Sequence, residues 1–211
     1  MDKLYMILLC LMIVPILICI KYSRKIKSDV ASSIVKCLIF AIVTILSNGL
    51  SAFSGNETFS YIMEALYRFS FDLMLIYVLQ YSQQYTRVFH EVSPFKKGCF
   101  IIAYLDGILL FLNIIFHNVF TIETVRFPNF DMYHVADKSI IFYFHYVFAY
   151  GLVVCIIASF IIKIIQIPDF YRKKYLPILV LMCVITVSKF ICGILEFPID
   201  VSLPFFVCAA I

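Results

Sequence analysis

Glu64, Arg68 and Asp72 lie within one apolar stretch, and their spacing is where chemistry is most legible in this sequence. At i, i+4 and i+8 of a helix they stack acid, base and acid along one face, so that Arg68 can reach both neighbours. Glu64 and Asp72 then stand about 12 Å apart along the axis, one near the outer edge of a bilayer and the other close to mid-depth. An ionisable group in hydrocarbon costs at least about 2.5–3.5 kcal/mol near the centre, so each needs a partner, a cavity or a snorkelling route. Two readings of the ladder fit: a self-neutralised stack that locks helix packing, or a face that senses a ligand or signal.

Other polar residues add to it. Lys189 falls well toward the outside of the sixth apolar stretch, His145 about two turns into the fifth from the outside, and Asn48, Asn113 and His117 in the outer halves of theirs. Together they predict a polar cavity open to the exterior that holds a small polar or amphiphilic ligand, with Glu64, Arg68, Asp72, His145 and Lys189 as its candidate residues. For each lone residue the competing reading is an interhelical hydrogen bond, worth about 0.6 kcal/mol on average. Asp106, about two turns into the fourth stretch from the inside, has no partner that the sequence can name. Lys36 and Lys163 sit near the inner ends, where long side chains snorkel.

The elements that position these groups are read from apolar runs. Of 211 residues, 64% are hydrophobic and 14% charged, against about 25% charged in a soluble domain, and the mean hydropathy is +1.01. The expected fold is an all-α membrane protein, a single transmembrane domain over residues 1–211. Its spans fall near 4–20, 30–53, 59–85, 99–120, 139–167 and 175–195, with an incomplete seventh at 203–211. Most approach the roughly 20 residues needed to cross about 30 Å of hydrocarbon. The first run is read as a retained span, because Met1-Asp2-Lys3 is a poor basic leader and no small-x-small cleavage site follows. The nine residues of 203–211 reach only about 14 Å as a helix, which leads us to expect a chain cut inside a seventh span heading inward.

Charge sets the orientation. The segments 21–29, 86–98 and 167–175 hold ten Lys and Arg, against Lys3, Arg126 and Lys138 on the other side, which puts the N-terminus outside. The basic residues form short clusters between apolar runs, not a long basic face, so nucleic acid is not expected as a partner. The eight cysteines lie in or beside apolar runs and read as small buried apolar residues. With no Trp, the 14 Tyr supply the interfacial belt. Asn56-Glu57-Thr58 matches a glycosylation sequon. The outer segment TIETVRFPNFDMYHVADK reads either as a lid or ligand-binding loop over the mouth, or as a solvated connector. No phosphate loop, zinc-protease, nucleophile-elbow or dinucleotide motif is present, so neither a catalytic role nor a cofactor is expected.

The third stretch, ALYRFSFDLMLIYVLQYSQQYT, resembles the third-helix signature of the N-terminal seven-transmembrane region of bacterial histidine kinases and diguanylate cyclases, with Ser70, Asp72, Tyr85 and Thr86 in the matching places. The close of the chain is similar too: a basic loop, a sixth span, then Phe197-Pro198-x-Asp200 and Ser202 leading into the seventh. Leu73 stands where the family commonly has an aromatic, and Gln84 where it has Glu. The resemblance implies a multi-pass signal-input module of the bacterial plasma membrane, N-terminus outside. It would bind an unknown small ligand and pair with a second copy as a homodimer. Its seventh helix would feed a cytoplasmic kinase or GGDEF domain in cis. The alternative is a transporter or permease fragment whose buried charges line a substrate path.

Overall fold

Helix starts and stops follow local chemistry. Ser28 accepts the N–H of Ala31 at 3.1 Å, and Asn56 accepts that of Phe59 at 3.2 Å, each satisfying a first-turn donor that has no partner inside the helix. Asp29 and Glu57 add negative charge at the same two helix starts. Gly55, with φ of 64°, supplies the left-handed step just before the second of them.

The structure is a computed structural model, and it describes residues 2–53, 55–88, 93–127 and 130–194. In chain order these form α1 (Asp2–Ser23), α2 (Asp29–Phe53), α3 (Glu57–Thr86), α4 (Ser93–Phe116), β1 (Phe120–Phe127), β2 (Phe130–Lys138), α5 (Ile140–Gln166) and α6 (Asp169–Ile194). The chain is mostly helical. Each of the six expected spans up to residue 195 falls on a helix; the seventh, 203–211, lies outside the described residues.

Asp29–Ser51, Pro94–Phe116 and Ile140–Gln166 are long and apolar enough to cross a membrane. The distribution of side chains agrees with this. Leu11, Ile115, Val147 and Ile165 are more than half exposed, whereas Thr44, Asp72, Ser82 and Asn113 have no exposure at all. An outer surface of large aliphatic side chains, with these polar groups held inside a largely apolar core, suits hydrocarbon as the solvent.

α3 runs through the middle, packed against α2, α4 and α5. Its contact with α2 is built on small and hydroxyl residues. Ser33 donates to Gln84 at 2.9 Å, Thr44 and Ser70 are hydrogen-bonded at 2.9 Å, and Ser60 donates to the Ser51 carbonyl at 2.8 Å. Buried Ala31, Ala41 and Ala65 allow the close approach these bonds need.

The segment after α4 corrects the all-α expectation. α4 ends at Phe116, His117 takes a left-handed φ of 48°, and residues 120–138 form an antiparallel hairpin with Ile122 opposite Val135 and Glu123 opposite His134. The expected span to residue 120 therefore stops early. The cause is alternation: Phe120 and Ile122 are buried while Thr121 and Glu123 face outward, a period of two that a helix cannot bury. Nor is the segment a plain solvated connector. Val119, Phe120 and Ile122 pack with Tyr61, Ala65, Leu110 and Phe142.

Asn113 is the clamp that holds it. Its Oδ1 accepts from the N–H groups of Val119 at 2.6 Å and Phe120 at 3.3 Å, and its Nδ2 donates to the Phe120 carbonyl at 2.8 Å. Tyr61 Oη accepts from the Ile122 N–H at 3.0 Å. Asn113→Leu keeps the volume but strands these groups, at about 1–3 kcal/mol per unsatisfied buried group. Backbone amides of β1 should then exchange with deuterium about tenfold faster or more, with α3 still protected. Unchanged exchange would show that the hairpin is held by its apolar contacts alone.

Candidate functional site

α3 delivers Glu64, Arg68 and Asp72 to the bundle interior, all three buried. The expected acid–base–acid ladder forms only at its Glu64–Arg68 end. Arg68 Nη2 pairs with Glu64 Oε1 at 2.5 Å, and Ser51 of α2 donates to Glu64 Oε2 at 3.3 Å. The guanidinium carbon lies 4.2 Å from the ring centre of Phe142, with Tyr67, Phe120 and Tyr146 at 5.7–5.8 Å. Aromatic faces thus cover the cation where water would otherwise solvate it. Phe120 belongs to the hairpin, so the hairpin closes over this pair.

Asp72 takes different partners, and this corrects the ladder. Its Oδ2 lies 3.2 Å from Nδ1 of His145 on α5, and the same nitrogen is hydrogen-bonded to Oδ2 of Asp106 on α4 at 2.8 Å. The single guanidinium is drawn to Glu64 and the rings, while the imidazole offers Asp72 a partner from the neighbouring helix. Exposure is 0% for Asp72, 2% for Asp106 and 3% for His145. One residue from each of three helices therefore meets at one point.

Gly107, next to Asp106, helps bring α4 this close. A Cβ built there would stand 2.5 Å from the Phe69 ring on α3.

Sequence reasoning named Asp72 and His145 but left Asp106 alone and placed it near the inner side. α4 begins at Ser93 and ends at Phe116, earlier at both ends than the expected 99–120, which moves Asp106 to the middle of its helix and level with His145. Asn113 and His117, expected to line a cavity, serve the hairpin instead: Asn113 clamps it, and the His117 ring packs on Tyr61 at 4.6 Å. Lys189 falls on α6, and its side chain lies outside the described residues.

Neither a family model nor a curated protein sequence matches the chain.

What the arrangement can do follows from its charges. Two carboxylates converging on one imidazole nitrogen hold positive charge, either as a shared proton or as a cation. Because the three groups sit on three helices, whatever they hold contacts all three.

Proposed function

We propose that this chain is a membrane-embedded signal-input domain. In this reading it is a seven-helix bundle of the bacterial plasma membrane with the N-terminus outside, whose seventh helix leads to a cytoplasmic histidine kinase or diguanylate cyclase domain. The observation that carries the proposal is the meeting of Asp72, Asp106 and His145 from α3, α4 and α5 at one buried point. A ligand changes an equilibrium only by binding two arrangements unequally. A charged junction of three helices is a place where occupancy does that, since adding or removing positive charge changes which carboxylate the imidazole holds. The Glu64–Arg68 pair, roofed by Phe120, lies one turn away on the outer side and couples the same helix to the hairpin.

Orientation is tested by labelling. On a cysteine-free background, a cysteine at Glu57 or Asp137 should react with an impermeant maleimide in intact cells, and one at Lys97 only after permeabilisation. The reverse pattern overturns the topology and with it the output side.

Buried Asp and His also occur in proton-coupled permeases, so flux separates the two classes. Vesicles holding the chain should take up no more protons under an imposed gradient than protein-free vesicles. Sustained uptake makes the chain a permease.

A further inference from the structure

Asp72 is the least satisfied of the three groups, its nearest donor atom being His145 Nδ1 at 3.2 Å. Its carboxylate is wholly buried, and neither of its oxygens accepts a hydrogen bond. His145 Nδ1 carries at most one hydrogen, and the nearer acceptor, Asp106 at 2.8 Å, takes it. With both carboxylates ionised the three groups sum to one negative charge even beside an imidazolium, and Glu64 already balances Arg68, so the group has room for a further proton or a cation. A buried carboxylate without a donor or a cation is costly.

We propose that Asp72, Asp106 and His145 form a binding site for a first-row divalent metal cation. Three features support it. The donor set is two carboxylate oxygens and one imidazole nitrogen, which suits Zn²⁺, Mn²⁺ or Fe²⁺ and leaves positions for water or a ligand. The second is geometry: Nδ1 lies 2.8 and 3.2 Å from the two oxygens, close to the roughly 3.0–3.5 Å that separates neighbouring donors bound to one ion at about 2.0–2.2 Å. The third is charge. A divalent cation with neutral imidazole brings the group to zero, and Asp72 gains a direct bond in place of its 3.2 Å approach to His145. Facing side chains from three helices are the usual way a bundle core builds such a centre.

No covalent or redox step is implied; the ion binds and leaves. The inference stands apart from the signal-input reading, because binding is measured on the purified chain whatever that chain does.

The chain, stripped with a chelator in detergent, is titrated with Zn²⁺ and with Co²⁺ as a spectroscopic probe. One ion per chain should bind, with Co²⁺ giving visible d–d bands and no thiolate charge-transfer band. Asp72→Asn, Asp106→Asn and His145→Gln should each weaken binding at least tenfold, while His134→Gln on the hairpin leaves it unchanged. Zn²⁺ at 100 times its Kd should also raise the unfolding midpoint of the unsubstituted chain, a readout that needs no variant to fold. Absence of binding, an unmoved midpoint, or binding equally tight in the three variants would overturn the site. The last outcome would assign the ion to cysteines or histidines elsewhere.

Discussion

Arg68→Leu should destabilise the chain by about 3–5 kcal/mol, because it removes the cation and leaves Glu64 buried without it. Ser51 still donates to Glu64, at 3.3 Å, but a neutral hydroxyl does not replace the cation. Glu64→Leu combined with Arg68→Leu should recover most of that loss, since replacing a whole buried pair by apolar groups is often neutral or better. Denaturant unfolding of the purified protein, followed by helical circular dichroism, gives both numbers. The sequence ladder assigns Asp72 to the same unit, which makes the triple replacement the best tolerated. The structure gives Asp72 to His145 and Asp106 instead, so adding Asp72→Leu to the double change should act through that group and not through the loss of Arg68. An Arg68→Leu chain as stable as the parent would mean that the pair is not buried.

His145→Leu should cost a similar 3–5 kcal/mol, by setting Asp72 and Asp106 against each other with no positive group between them. Asp72→Asn should behave in the opposite way in metal-free protein. It removes the carboxylate that accepts no hydrogen bond and leaves a neutral His145–Asp106 pair, so stability should hold or rise. The two variants have the same neighbours and expected effects of opposite sign, and the same unfolding curves decide between them. If both lose stability equally, Asp72 is satisfied by a group other than His145.

Helix positions were legible because length and apolarity alone fix them. Runs of roughly 20 apolar residues fell on α1 to α6, and the i+4 spacing correctly paired Glu64 with Arg68. The spacing rule failed for Asp72 because it sees one helix at a time. Asp72, Asp106 and His145 lie 34 and 39 residues apart along the chain, and which face of α4 and α5 turns toward α3 is decided by packing, such as the contact at Gly107, that no single stretch reveals. Errors at helix ends compounded this. A start at residue 99 instead of Ser93 places Asp106 too near that end of α4 and hides its match in depth to His145. The hairpin had a signal that went unused: Phe120 and Ile122 alternate with polar residues, and β-branched residues follow in Thr124 and Val125. Residues 203–211, the expected seventh span, and the side chain of Lys189 lie outside the described residues, and their expected roles rest on the sequence alone.

The central claim, that the Asp72–Asp106–His145 junction controls an output, is tested most directly by joining residues 1–211 to a histidine-kinase output domain and measuring autophosphorylation in vesicles. Asp72→Asn and His145→Gln should each move basal output by about fivefold or more, the size of a coupling near 1 kcal/mol. Asp137→Asn, on the exposed side of the hairpin, should leave it unchanged. Equal output from all of these chains, with helical content matching the parent, would contradict the account.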